Sequence, residues 1–151
     1  MLISRTSQYA IQAMIYIGMQ KEGVCAMNSE IASQIGLPPK YLAKVLQILC
    51  RGGLLVSQRG RYGGFSLREP SEDINLLKVL SIIEGREFRE DCLLGLKQCE
   101  DKTACPVHQE WGAIRTEIAE MLRSQNLATF AIAVGEGKYR LTDVSLGTGR
   151  T

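Results

Sequence analysis

Apolar residues recur every three or four positions through much of the first half of the chain, which is the spacing of one face of an α-helix. The first stripe comprises Ala10, Ala13, Met14 and Ile17. "NSEIASQIG" predicts a second, short helix that Gly36 ends, and "LPPKYLAKVLQILCRGG" predicts a third. The buried stripe of the third helix comprises Leu42, Val45, Leu46 and Leu49. Two short helices joined by a tight glycine turn predict a helix-turn-helix.

A glycine-rich segment follows the third helix. The runs "LLVSQ" and "GFSLR" have strand character and flank "RGRYGG", which predicts a β-hairpin with Arg59 and Arg61 at its tip. A hairpin directly after a helix-turn-helix is the wing of a winged-helix domain, and a plain packing hairpin is the alternative. "INLLKVLSIIEG" then predicts a further amphipathic helix that Gly85 closes.

The apolar pattern resumes after a polar loop, in "HQEWGAIRTEIAEMLRSQ", with spacings that alternate between three and four. Its apolar positions are Trp111, Ile114, Ile118, Met121 and Leu122. Such a seam suits a helix–helix contact in a dimer, and packing onto its own domain is the alternative. "LATFAIAV" fits a short helix or a strand. We therefore expect a mainly α fold with a small β-hairpin wing, that is, a winged helix-turn-helix plus a long C-terminal dimerisation helix.

Charge is unevenly distributed along the chain. The net charge is +2, yet residues 36–68 contain six basic and no acidic side chains, so the remainder is net acidic. A concentrated basic region is typical of a protein that binds a polyanion on one face, and a solvated basic surface is the alternative. The candidate DNA contacts on the third helix and the hairpin are Lys40, Tyr41, Lys44, Gln47, Arg59 and Arg61.

Composition narrows the class of protein. The 151 residues are 45% hydrophobic and 23% charged, which is ordinary for a globular domain. No apolar run approaches the length of a membrane span and the first residues lack the layout of a secretory signal, so we expect a cytoplasmic protein. One histidine, no paired carboxylates in an apolar setting and no phosphate-binding loop argue against an enzyme.

Three of the five cysteines and the one histidine lie in "DCLLGLKQCEDKTACPVH". They are Cys92, Cys99, Cys105 and His108. Thiolates and an imidazole at these spacings can converge on one metal centre, although His108 could merely cap the helix that it begins. The wide gaps favour an iron–sulfur cluster, while a zinc ion and a metal-free redox-sensing thiol pair are the alternatives. Cys25 and Cys50 are interpreted as small hydrophobic residues.

Four stretches together resemble a known family. They are "QYAIQAM", "YLAKVLQILCRGGLLVSQRGRYGGFSL", "INLLKVLSIIEG" and the three-cysteine loop. Over about residues 1–125 the chain is similar to bacterial winged-helix transcriptional regulators of the IscR and NsrR type, the Rrf-type repressors. The wing segment is the most specific part of this resemblance.

The resemblance implies homodimers that bind partly palindromic, double-stranded operator DNA. The recognition helix then enters the major groove and a wing arginine, here Arg59, reaches the minor groove. Members with three cysteines hold an iron–sulfur cluster that senses iron supply, nitric oxide or redox state. Cys92, Cys99 and Cys105 occupy those positions, and His108 matches the histidine of the cluster-biogenesis regulators. A 2Fe–2S cluster is favoured, with a 4Fe–4S cluster, zinc or no metal as alternatives.

The chain also departs from those relatives. Six residues separate its first two loop cysteines, where the biogenesis regulators have five. Nitric-oxide sensors take an acidic ligand from the partner's first helix, at the position of Gln8 here, which leaves Glu90, Asp91 and Glu110 as weak substitutes. Ala43 stands where the biogenesis regulators carry a base-reading glutamate, so we expect a different operator.

These observations predict four regions. Residues 1–85 form the winged-helix DNA-binding domain and residues 86–107 form the cluster-binding loop. Residues 108–126 form the dimerisation helix, and residues 127–151 form a C-terminal segment that is partly disordered. The predicted function is a cluster-containing regulator, with a cluster-free regulator of the same fold, or an electron-transfer or cluster-carrier protein, as alternatives.

Overall fold

The computed structural model describes residues 3–85 and 92–143. Its helices are α1 Arg5–Gly18, α2 Asn28–Ile35, α3 Pro39–Arg51, α4 Leu76–Glu84, α5 His108–Ser124 and α6 Leu127–Gly135. Its strands are β1 Leu55–Gln58 and β2 Gly64–Leu67, and 3-10 turns span Ser71–Asp73 and Asp101–Thr103. Parts of three predicted regions, residues 1–2, 86–91 and 144–151, lie outside the described residues. The mainly helical fold with a small hairpin is confirmed.

Local sequence explains where the helices begin and end. The Ser4 side chain caps α1 by accepting a hydrogen bond from the Ser7 N–H at 3.1 Å, and Asn75 caps α4 through the Lys78 N–H at 2.9 Å. Gly36 closes α2 and Gly85 closes α4 in the left-handed conformation, with φ of 70° and 69°. These caps fix the tight turn between α2 and α3 and the point where the chain leaves α4.

The core is built around α1. Its Ala10, Ala13 and Met14 side chains are fully buried, and the helix packs against α2, α3, α4, α6 and β2. The third helix contributes the stripe predicted from the sequence, Leu42, Val45, Leu46 and Leu49, each at most 1% exposed. Burying this stripe leaves the polar side of α3 in solvent, where a recognition helix requires it.

The hairpin is a two-stranded antiparallel sheet in which Leu55 pairs with Leu67 and Gln58 with Gly64. Ala26 extends it on one side, because its backbone exchanges hydrogen bonds of 2.9 and 2.8 Å with Phe65. Gly64 lies at this junction with φ of +136°. The wing is therefore anchored to the segment that precedes α2.

The C-terminal elements share the same core. Ala119 and Leu122 of α5 are buried, as are Leu127 and Val134 of α6. Asn126 caps α6, and the backbone around it pairs with residues 74–76 at the start of α4. The segment "LATFAIAV", for which the sequence allowed a helix or a strand, is a helix that lies across α1. Residues 127–135 thus complete the core that the winged-helix elements begin.

We expect Gly64→Ala to lower the free energy of unfolding by about 1–3 kcal/mol. A Cβ at this position would lie 2.4 Å from the Ala26 carbonyl oxygen, and the backbone has a left-handed φ. Urea denaturation measures the loss. Gly135→Ala is the matched control, because its Cβ would meet no atom within 4 Å and its backbone is not left-handed. Equal stabilities of the two variants would contradict this account of the wing junction.

Candidate functional site

The loop before α5 brings the three predicted cysteine ligands together. The sulfur atoms of Cys92, Cys99 and Cys105 all lie within 4.8 Å of one another, and those of Cys92 and Cys105 are 3.7 Å apart. Cys105 is buried, whereas Cys92 and Cys99 are half-buried. Three thiols separated by six and five residues in the sequence thus lie side by side in the fold.

His108, in the first turn of α5, contacts one of these cysteines. Its Nδ1 lies 3.1 Å from the Cys99 sulfur, and its Nε2 lies 3.3 Å from the Oδ1 of Asp101. A carboxylate on the distal nitrogen is the usual companion of a metal-binding histidine, because it fixes the tautomer and the ring orientation. Sequence reasoning missed Asp101, since only the fold shows that it faces the imidazole.

Hydrogen bonds within the loop hold the four groups in place. Glu100 and Thr103 form a reciprocal capping box around the 3-10 turn, and the Thr103 hydroxyl donates to the Gln98 carbonyl at 3.0 Å. The Cys105 N–H donates to the Cys99 sulfur at 3.4 Å, and the His108 N–H donates to the Cys105 carbonyl at 3.1 Å. The ligand loop is therefore organised by its own backbone.

The thiols differ in their tendency to ionise. A backbone hydrogen bond from Leu96, with a further one from Leu94, lowers the pKa of Cys92 to about 7. At Cys99 the Cys105 backbone hydrogen bond lowers the thiol pKa, but burial and the neighbouring thiols outweigh it, and the net shift is upward. Metal ions and clusters bind the deprotonated thiol, so the lowered pKa of Cys92 favours binding there. The other thiols release their protons when the metal or cluster binds.

The donor set fits a soft metal centre. Three thiols converge and one imidazole nitrogen contacts the Cys99 sulfur, and these are ligand types that suit either a tetrahedral zinc ion or an iron–sulfur cluster. Among the alternative acidic ligands, Glu110 is exposed on α5, while Glu90 and Asp91 lie outside the described residues.

The predicted DNA contacts lie on the solvent side of α3 and at the hairpin tip. Lys40, Lys44 and Gln47 are exposed on α3, and Arg59 and Arg61 are exposed at the tip. Tyr41, the remaining predicted contact, is also exposed, and it makes a contact within the fold that the sequence did not reveal. Its hydroxyl is 2.8 Å from the Thr6 hydroxyl and its ring meets Tyr9 edge-on, so it also joins α3 to α1.

The apolar residues of the predicted dimer helix divide into a buried and an exposed group. Near its C-terminal end Leu122 is 3% exposed and packs into the core of its own chain, with Ile118 partly buried against that core. Ile114 and Met121 are about half exposed, at 50% and 51%, and Trp111 is partly exposed. Within residues 3–85 and 92–143, no helix combines the length and the apolar character needed to cross a membrane.

Comparison with known proteins places this geometry in context. The family model Rrf2, described as an iron-dependent transcriptional regulator, matches residues 3–132. A Mycobacterium tuberculosis (strain H37Rv) protein described as an HTH-type transcriptional regulator is 30% identical over 133 residues, which cover 87% of this chain and 81% of the relative. An HTH-type regulator of Aquifex aeolicus is 27% identical and covers 84% of this chain and 89% of its own length.

Solved structures of other proteins have a similar fold. CymR, the global cysteine regulator of B. subtilis, superposes with a TM-score of 0.71 at 27% identity, covering 86% of this chain and 95% of that one. T. potens IscR superposes with a TM-score of 0.72 at 25% identity, covering 91% of each chain. These matches confirm the resemblance found in the sequence, and the chain belongs to the Rrf2 family of transcriptional regulators.

Proposed function

We propose that the protein is a cytoplasmic, homodimeric DNA-binding regulator that carries an iron–sulfur cluster and responds to iron supply, redox state or nitric oxide. The observation that carries this proposal is the convergence of three thiols in the loop before α5, with the His108 imidazole in contact with one of them, Cys99. Of the four predicted regions, the first three would bind DNA, bind the cluster and form the dimer, and the fourth is the C-terminal segment.

DNA binding rests on the basic surface of α3 and the wing. Lys40, Lys44 and Gln47 are exposed on one side of a helix whose opposite side is buried, which suits insertion into the major groove. Arg59 and Arg61 extend the positive surface to the hairpin tip, where a narrow minor groove attracts arginine through its strong negative potential. The absence of acidic side chains between residues 36 and 68 favours DNA over a protein partner.

Dimerisation rests on the exposed apolar residues of α5. Trp111, Ile114 and Met121 present apolar surface to solvent, while Ala119 and Leu122 anchor the helix in its own core. Pairing this surface with a second copy removes it from water and relates the two winged helices by a two-fold axis. A two-fold dimer reads a partly palindromic operator, with half-sites separated by about one DNA turn.

The cluster links the two activities through the loop. Cys92, Cys99, Cys105 and His108 would hold the group, with Asp101 keeping Nδ1 of the imidazole turned toward the Cys99 sulfur. A bound cluster supplies sensitivity to iron, oxidants and nitric oxide. Ligation stiffens the connection between the winged helix and α5, and therefore sets the distance between the two α3 helices of the dimer.

A zinc-binding or thiol-oxidising regulator is the second candidate, favoured by the same four donor atoms and by the lowered pKa of Cys92. The gaps of six and five residues are wider than the paired knuckles of most structural zinc sites, which favours the cluster. An electron-transfer or cluster-carrier protein would not require the exposed basic side chains of α3.

We expect protein purified without oxygen to be coloured and to contain equal amounts of iron and sulfide, about two of each per protomer for a 2Fe–2S cluster. The Cys99→Ser variant should lose both the iron and the sulfide, because it lacks one of the three cysteine ligands. Iron, sulfide and zinc assays with an absorption spectrum measure this. Cys25→Ser is the matched control, since Cys25 is also partly exposed but lies beside Gln58, outside the ligand loop.

Colourless protein that contains zinc, or no metal after anaerobic reconstitution, would contradict the cluster and leave the zinc or thiol regulator. Retention of full iron and sulfide in Cys99→Ser would contradict the ligand assignment itself.

We expect Lys44→Ala to weaken binding to operator and random duplexes by a similar factor, because a phosphate contact carries no sequence information. The slope of log affinity against log salt should fall by about 0.9 for each phosphate that the protein no longer neutralises, hence by about two per dimer. Fluorescence anisotropy at several salt concentrations measures both. Lys138→Ala removes an exposed lysine of the C-terminal segment as the control, and an unchanged slope for Lys44→Ala would exclude this surface.

A further inference from the structure

The tip of the wing, residues 59–62, carries an exposed aromatic side chain as well as its two arginines. Tyr62 is 85% exposed, the largest exposed fraction among the large hydrophobic side chains of the described residues. It lies directly beside Arg61 and three residues from Arg59. A phenol ring held in water at a basic tip does not stabilise the isolated fold, so a role in binding explains it better.

The backbone holds this tip in one shape. The Gly63 N–H donates to the Gly60 carbonyl at 3.0 Å, which closes the turn around Tyr62. A Cβ at Gly63 would lie 2.3 Å from the Gln58 carbonyl oxygen, and Gly64 packs just as closely against Ala26. The tyrosine therefore projects from a tight turn whose backbone packs closely against Gln58 and Ala26. Little backbone entropy is lost when this turn binds a partner.

The neighbouring charge directs the ring toward DNA. The Arg61 guanidinium lies 5.8 Å from the centre of the Tyr62 ring, within cation–π range. An arginine drawn to the minor groove thus brings the ring with it. The walls of that groove are deoxyribose units, whose apolar faces suit an aromatic ring and carry no charge.

We propose that Tyr62 is a second, uncharged DNA contact of the wing, with its ring packed against the deoxyribose wall of the minor groove beside Arg61. This inference rests on the proposed function and adds to it a residue that acts by apolar packing. Its effect on affinity is independent of salt, whereas the arginine and lysine contacts act through phosphate charge and counterion release.

The test compares Tyr62→Ala, Tyr62→Phe and Arg61→Ala on a duplex of about 30 base pairs, selected by the wild-type protein from a randomised pool. We expect Tyr62→Ala to bind about tenfold more weakly with an unchanged salt slope, and Tyr62→Phe to retain wild-type affinity. Arg61→Ala should instead lower the slope by about two per dimer. Thermal melts of each variant confirm that the fold is kept.

Tyr139→Ala is the matched control, because Tyr139 is also exposed, at 59%, with the Lys138 ammonium 5.4 Å from its ring, but lies in the C-terminal segment. Wild-type affinity in Tyr62→Ala, or an equal loss in Tyr139→Ala, would overturn the Tyr62 contact while leaving the regulator intact. A loss in Tyr62→Phe as large as in Tyr62→Ala would also overturn ring packing, since the hydroxyl would then be the contact. Failure of the wild-type protein to select any duplex would overturn the proposed function itself.

Discussion

Burial of helix α1 is the interaction on which the rest of the structure depends. Ala10 and Ala13 present methyl groups where larger side chains would hold the neighbouring helices apart, and Met14 fills the space between them. Helices α2, α3, α4 and α6 all pack on this one element. The winged-helix elements and the C-terminal helix α6 therefore share a single core, and α5 reaches that core through α4.

The first turn of α1 also joins the C-terminal end of α4 to α3. Ser4 and Ser7 donate hydroxyl hydrogen bonds of 2.5 and 2.6 Å to the Glu84 carboxylate, the last residue of α4 before the chain leaves for the ligand loop. Ser7 is fully buried, which makes an unpaired partner costly. In the same turn Thr6 meets the Tyr41 hydroxyl of α3. Under the proposed function, these bonds connect the end of α4, from which the chain continues toward the ligand loop, with the surface of α3.

Local patterns in the sequence were sufficient for helices α1 to α5 and for the hairpin, and they pointed to the three cysteines that the structure brings together. The 3.6-residue stripe of α3 predicted Leu42 and Leu46 in the core, and the glycines marked the wing. Contacts between distant segments were beyond such patterns. Ser7 and Glu84 are 77 residues apart, and nothing local pairs them. The uniformly apolar α6 has no period that separates helix from strand, and Leu122 is buried where α5 packs against α4.

The central claim is that the metal state of the loop controls DNA binding. The most direct test measures the affinity of one anaerobic preparation for its selected duplex, before and after the cluster is removed by a chelator, with far-ultraviolet circular dichroism to verify the fold. Coupling of the usual size predicts a change of about tenfold or more. Equal affinities in the two states, with the cluster shown to be present in one and absent in the other, would contradict the account.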